Sequence, residues 1–280
     1  MILVTGAAGK TGQAVLQALA ARQAAARALV RHPEQTTIVR ETVVGDMLNP
    51  ATWERAMSGV EKVYLICPNM HPQEVEIGRM AIAAAQAASI SHFVYHSVLH
   101  PQTEAMPHHW HKLRLEEVLL ESGLNFTILQ PAAYMQNLLG SWASIVNEGV
   151  YRVPYPVTTR LSMVDLVDVA AAAAVVLTTD DYIGGTYELV GPEKLSLVEA
   201  AAVLSLELNR PVQAEEISLA IWQADAHKAG LGDYQIATLL KMFRYYAQYN
   251  FWGSAWTLKQ LLRREPTSFA DFIHRQLANS

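Results

Sequence analysis

Gly6, Gly9 and Gly12 lie three residues apart in the run Gly6-Ala7-Ala8-Gly9-Lys10-Thr11-Gly12. The run follows the apolar segment Met1–Thr5 and opens an Ala-rich stretch of helical periodicity. A glycine-rich turn between a strand and a helix suits a pyrophosphate: it lets the backbone come close, and the helix start offers free N–H groups and a favourable dipole. By analogy with the G-x-G-x-x-G fingerprint, Gly6 permits the tight turn, Gly9 the approach of backbone N–H groups, and Gly12 close packing of helix on sheet. The next strand-like run ends in Arg31-His32, with no acid to accept from a ribose 2′-hydroxyl. Arg31 can pair with a 2′-phosphate, so NADPH is the expected dinucleotide and NADH stays open. Lys10 can add charge to the same phosphates. Asp46, in Gly45-Asp46-Met47, stands where an acid can meet the adenine amino group.

Other reactive residues point less sharply. His108 and His111 are three apart and could share a helix face, with His92, His96 and His100 upstream. No acid sits at ligand spacing, and His92 and His96 would be about 13 Å apart on a strand. No metal site is expected. Cys67 is the single cysteine, at the end of an apolar run, and reads as a partly buried small residue rather than a reactive thiol. One cysteine forms no intrachain disulfide, which suits a reducing compartment. The chain of 280 residues carries a formal net charge of −5, with no basic excess for nucleic acid. The N-terminal apolar run is too short for a signal peptide, and the run from Val169 to Leu177 is too short for a membrane span. The expectation is a soluble, cytoplasmic protein.

These residues need elements to hold them. Strands are expected at Met1–Thr5, Arg27–Val30, Glu41–Val44, Lys62–Ile66, His92–His96 and Asn125–Leu129. Helices are expected at Lys10–Arg22, Trp53–Met57 (opened by Asn49-Pro50), Glu74–Ala88 and His111–Ser122. Short apolar strands alternating with helices predict a doubly wound parallel α/β sheet. After Tyr151 the pattern loosens around Pro154 and Pro156. Ser162–Leu177 reads as a helix and its approach, with Asp165 and Asp168 near its start. Thr186–Val190 and Val212–Ile217 read as late strands. Ser196–Leu206 reads as a helix capped by Ser196 and Glu199. From Leu219 the chain is helical and rich in aromatics, among them Phe243, Tyr245, Tyr246, Tyr249, Phe251, Trp252 and Trp256. These rings suit a helical core, a flat substrate or a partner surface. The division expected is a Rossmann domain over 1–150 and a smaller, mostly helical substrate-side domain over 151–280, interleaved with late strands of the sheet.

The runs VTGAAGKTG, ALVRHP, GDMLNP, Ile66-Cys67-Pro68 and HHWHKLRLEEVLLESGLNFTILQPAAYMQN together resemble the NmrA-like branch of the atypical short-chain dehydrogenases/reductases. So do Ser162–Ala170, Tyr187–Pro192 and the tail LLRREPTSFADFIHR. The resemblance implies a Rossmann fold, a preference for NADP(H), and either reduction of quinones or azo and triarylmethane dyes, or redox sensing without turnover. It implies that Gly6, Gly9, Lys10, Thr11, Gly12 and Arg31 hold the adenosine and pyrophosphate end, with Asp46 and Met47 flanking adenine. Cys67, Pro68, Ser97 and Val98 would line the ribose and nicotinamide path, and Lys112 would bond the ribose. Gln130, Pro131, Ala132 and Tyr134 would close over the nicotinamide.

Short-chain dehydrogenases of the usual kind carry Tyr-x-x-x-Lys on one helix face. Here His108 stands four residues before Lys112, and no Tyr-x-x-x-Lys occurs in the chain. His108 and Lys112 are therefore the candidate catalytic pair, with His108 the candidate proton donor. The leading expectation is an NADPH-dependent reductase of a small hydrophobic or aromatic acceptor, quinone- or dye-like. The alternative is an NAD(P)H-binding regulator that senses redox state without turnover. A homodimer or a protein partner is open under both.

Overall fold

A computed structural model describes residues 1–35 and 37–278. In chain order the elements of the first part are β1 (Ile2–Val4), α1 (Lys10–Ala21), β2 (Ala26–Val30), β3 (Thr42–Val44), α2 (Pro50–Met57), β4 (Lys62–Leu65), α3 (Glu74–Ala87), β5 (His92–His96), α4 (Pro107–Leu120) and β6 (Phe126–Pro131). Then come β7 (Ala133–Tyr134), a 3-10 turn (Met135–Ser141), α5 (Trp142–Glu148), β8 (Val150–Val153), β9 (Arg160–Val164), α6 (Leu166–Thr178), β10 (Thr186–Leu189) and β11 (Lys194–Ser196). The chain closes with α7 (Leu197–Glu207), β12 (Gln213–Glu216), α8 (Leu219–Lys228), α9 (Asp233–Tyr249), α10 (Trp256–Leu262) and α11 (Phe269–Ala278).

Seven strands form one parallel sheet in the order β10-β6-β5-β4-β1-β2-β3. The chain winds from β1 to one edge through β2 and β3, then returns to the other side of β1 at β4. The order therefore reverses between β1 and β4, and loops at the carboxyl ends of these strands are where such sheets take ligands. The expected Rossmann-type sheet with a helical C-terminal region is present. Its central strands are apolar because both faces are covered: Leu3, Val4, Val63, Tyr64, Leu65, Phe93, Val94 and Tyr95 have no exposed surface. Asn49 caps α2 by accepting the N–H of Ala51, and Pro50 starts it. Helix α1 buries Gly12, Val15, Leu16 and Leu19, and packs against α6, whose Ala170, Ala172, Ala173 and Ala174 leave room for close approach.

By contacts the chain divides into two compact units. The first holds Met1–Glu104, His108–Pro131 and Leu166–Glu188, hence the parallel sheet with α1, α3 and α6. The second holds Ala105–Pro107, Ala132–Asp165 and Leu189–Ser280. In the second, β9 pairs with β7 and β11, and β12 pairs with β8. Its core joins Met135, Leu138, Ile145, Leu204, Phe269, Phe272 and Ile273. The buried Asp165 carboxylate accepts from Gln136 at 2.7 Å and from Arg275 at 2.5 Å, which fastens α11. Ser196 caps α7 with the reciprocal Glu199 bond that the sequence suggests.

Three expectations need correction. Ser162–Val164 is strand, not helix approach: its backbone pairs with Lys194 and with β7, and the helix begins only at Leu166. The stretch after Tyr151 is regular, with β8 and β9 on either side of the prolines. Helix α4 starts at Pro107 rather than His111, because Pro is well tolerated in a first helical turn. The aromatic stretch also splits in two. Phe243, Tyr246 and Phe251 are buried, whereas Tyr249, Trp252 and Trp256 are exposed.

Helix α1 stands on its buried face, so Leu16→Ala should cost about 3 kcal/mol of folding stability, as core Leu truncations do. Urea unfolding by circular dichroism measures it; an unchanged midpoint would contradict the packing described.

Candidate functional site

The glycine turn leaves β1 at Gly6, which has a left-handed φ of +57° that its lack of a Cβ allows. Gly9 donates its N–H to the Gly6 carbonyl at 3.0 Å and serves as N-cap of α1, with no side-chain cap and no acid in the first turn. A Cβ on Gly12 would lie 2.4 Å from the Gly6 oxygen and 2.6 Å from the Ala7 Cα. Only hydrogen fits there, so the helix start is seated on the turn. Thr5 ties the turn to the neighbouring strand: its hydroxyl donates to the Ile66 carbonyl at 2.9 Å and accepts the Ile66 N–H at 2.8 Å. Lys10 is exposed and Thr11 half-buried at the head of this helix.

Beyond β2, the N–H groups of Arg31 and His32 both donate to the Gln35 side-chain oxygen, at 2.8 and 3.0 Å. That clasp shapes the loop and leaves the exposed Arg31 guanidinium without a partner among the described residues. Asp46, also exposed, accepts from the N–H of Leu48 at 3.0 Å, and Met47 offers its carbonyl to Trp53 Nε1 at 2.8 Å. Pro68 is exposed next to the buried Cys67. The partial exposure expected for Cys67 is not found: burial, reinforced by the Glu74 carboxylate, pushes its thiol far above the ordinary range, and it stays a thiol.

Helix α4 brings the most chemistry to one place. His108, Lys112 and Glu116 stand four residues apart and so share one face. Lys112 Nζ donates to Glu74 Oε1 at 2.6 Å and to the His96 carbonyl at 3.4 Å. Glu74, at the start of α3, is 1% exposed and also accepts from the Tyr95 hydroxyl at 3.1 Å. Burial is the largest influence and acts to lower the Lys112 pKa, but the charge and hydrogen bond of Glu74, with Cys67 and Glu116, together outweigh it, so Lys112 is a charged ammonium. One turn on, Glu116 accepts the Ser97 hydroxyl, and Gln130 Nε2 lies 2.9 and 3.1 Å from its two oxygens. Burial pushes the Glu116 carboxyl up, while the Ser97 and Gln130 bonds hold it down. Ser97, Lys112 and Gln130, separate in sequence, thus belong to one buried polar cluster. Val98 and Pro131 adjoin it, since Leu99 N–H bonds to the Pro131 carbonyl. Ala132 and Tyr134 belong to the second unit, where Ala132 N–H meets the Leu189 carbonyl and Tyr134 lies in β7.

His92, His96 and His108 are neutral at pH 7. Burial, then the charge of Lys112, lowers His108 to about 4 and His96 to about 3; burial lowers His92 to about 4. His108 Nδ1 and His92 Nδ1 are buried without a hydrogen bond, and the Tyr64 hydroxyl shares one of 2.5 Å with His96 Nδ1. At pH 7 His108 is therefore not the imidazolium donor its spacing suggested. Among the described residues no group of three His, Cys, Asp or Glu could hold a metal ion, and no helix is long and apolar enough to cross a membrane. Sequence reasoning missed Glu74 and Glu116. Glu116 had a signal, the four-residue spacing after His108 and Lys112; Glu74 had none beyond a place near a helix start.

A sequence model described as the NmrA-like family matches residues 1–273. An NAD(P)H azoreductase of Xenophilus azovorans is 32% identical over 83% of this chain and 82% of that protein. Quinone oxidoreductase 2 of Escherichia coli strain K12 is 31% identical over 83% of each. The crystal structure of an NADPH-dependent quinone oxidoreductase from Escherichia coli, complexed with NADPH, superposes with a TM-score of 0.85. It is 26% identical and covers 99% of this chain and 100% of that one.

The buried rings set a pH dependence. Each folded pKa lies below the ordinary 6.5, so as pH falls the unfolded chain takes up protons first. The stability contributed by burying neutral rings is complete above 6.5 and is lost progressively from there toward about 4, and toward about 3 for His96. The expected slope is about 1.4 kcal/mol per pH unit for each ring. Urea midpoints between about pH 7.5 and about pH 5 measure it, and His108→Gln should flatten the slope by one ring's share. A slope unchanged by that substitution would contradict the neutral burial of His108.

Proposed function

The chain belongs to the NmrA-like family, and from that premise we propose that it is an NADPH-dependent reductase of small, flat, conjugated acceptors of the quinone or dye type. Two of its relatives are an NAD(P)H azoreductase and a quinone oxidoreductase. The observation that carries the reading is the uncapped head of α1, seated on the Gly6 turn where the strand order reverses. A side chain at position 12 would fill the space the turn needs, and the first turn of α1 carries no acid. These features fit a pyrophosphate.

In this reading Gly6, Gly9 and Gly12 let the backbone approach, and Lys10 and Thr11 add donors. Arg31 pairs with the 2′-phosphate as a charge-assisted, bidentate partner, and Asp46 and Met47 flank the adenine. Ser97, Val98, Lys112, Gln130 and Pro131, beside Cys67 and Pro68, border the ribose and nicotinamide. NADPH, when bound, supplies the hydride. Lys112 is fixed in place and charged by Glu74, which suits it to hold a ribose hydroxyl rather than to take up a proton. His108 offers a neutral ring, so the proton that completes reduction comes from water. That suits acceptors whose reduced anion is delocalised and needs no strong acid. Arg31, lying outside the buried cluster, sets the preference for NADPH alone.

Oxidation of NADPH with a panel of quinones and azo dyes tests the proposal. Turnover with at least one class is expected, while tight NADPH binding without turnover would favour the regulator that only senses. Arg31→Ala should weaken NADPH about tenfold, the worth of a charge-assisted hydrogen bond, and leave NADH unchanged. Equal weakening of both would remove the 2′-phosphate assignment.

A further inference from the structure

The cluster around α4 holds two carboxylates, Glu74 and Glu116, against the single ammonium of Lys112. Glu74 is paired with that ammonium. Glu116, 6% exposed, is satisfied by Ser97 and Gln130, which bring hydrogen bonds and no charge. Burial raises its pKa, against the pull of the Ser97 and Gln130 hydrogen bonds and of the Lys112 charge; the role argued below belongs to its carboxylate form. An unpaired charge in such a place is costly, and an amide of the same shape would fill it more cheaply. The histidines nearby are neutral and offset nothing. One turn before Lys112, the Nδ1 of His108 is buried without a partner, an open hydrogen-bonding position on the same helix face.

We propose that Glu116, with Glu74 cancelling Lys112, gives this cluster a net negative charge that stabilises the cationic, oxidised nicotinamide over the neutral, reduced one. The protein thereby makes its bound NADPH a stronger hydride donor. The inference rests on the reading above, in which Ser97, Lys112 and Gln130 border the nicotinamide. The two forms of the cofactor differ at the ring by one positive charge, so a fixed charge nearby acts on one form and hardly on the other. In an interior of effective dielectric about 20, a unit charge within about 12 Å shifts such an equilibrium by at least about tenfold. Glu116 is a positioning and charge-setting residue here, not one that reacts.

The test is calorimetric titration of the intact protein with NADP⁺ and with NADPH separately. In Glu116→Gln the ratio Kd(NADP⁺)/Kd(NADPH) should rise at least about tenfold over wild type. For a two-electron couple that is a rise of at least about 30 mV in the bound potential. Glu116→Asp keeps the charge and should stay within about twofold of the wild-type ratio. Glu74→Gln removes the other carboxylate and should shift the ratio in the same direction as Glu116→Gln, which keeps the test open if one variant folds poorly. A ratio unmoved in both Gln variants, with both nucleotides still bound, would overturn this proposal and leave the reductase reading standing. Equal shifts in the Asp and Gln variants of Glu116 would reduce its role to shape. Wild-type protein that binds neither nucleotide would overturn both readings.

Discussion

Helix α1 begins against the carbonyl of Gly6, and the whole candidate nucleotide site hangs on that contact. With any side chain at position 12 the helix would have to lift off the turn. Its first N–H groups would then leave the carboxyl edge of β1, and the positive end of its dipole would move with them. Several features hold the contact. The apolar face of α1 lies on α6, whose alanines permit close approach. Thr5 bridges to Ile66 and fixes the gap between β1 and β4, where the chain reverses direction across the sheet. Gly6 supplies the left-handed turn that points the chain into the helix.

A second constraint concerns charge. Helix α4 turns a polar face inward, and that is tolerable because its charged groups meet partners. Lys112 meets Glu74, and Glu116 meets Ser97 and Gln130. Those partners come from α3, the end of β5 and β6, so the sheet and helices must be assembled before the cluster is satisfied. Rigidity follows, because a half-made network of this kind is worse than none. The same network keeps Lys112 charged against the burial that lowers its pKa, while burial, and then the charge of Lys112, keeps His96 and His108 neutral.

The sequence displayed most of the parallel sheet, because strands covered on both faces must be apolar runs, and the glycine turn stood out for the same steric reason that makes it work. Local chemistry was also legible: Asn49 before Pro50 and the Ser196–Glu199 capping box are bonds between near neighbours. What could not be read was non-local. The Glu74–Lys112 pair spans 38 residues, and nothing in either neighbourhood announces it. Strands β8 and β9 are short and partly exposed, so they lack the apolar run that marks a central strand. The start of α4 was placed late because its inward face is polar, which hides the usual contrast between two helix sides. His108 was read as an acid from its spacing alone; its burial, which decides its charge, depends on elements far away in the chain.

The central claim is that the head of α1, seated on the Gly6 turn, holds the dinucleotide. Calorimetric titration of NADPH into wild-type protein and Gly12→Ala tests it most directly, with circular dichroism to confirm that the variant keeps its helices. The account predicts one NADPH bound per wild-type chain and at least about a tenfold loss in the variant, as the displaced helix start withdraws its N–H groups. Equal affinity of a folded Gly12→Ala protein for NADPH would contradict it.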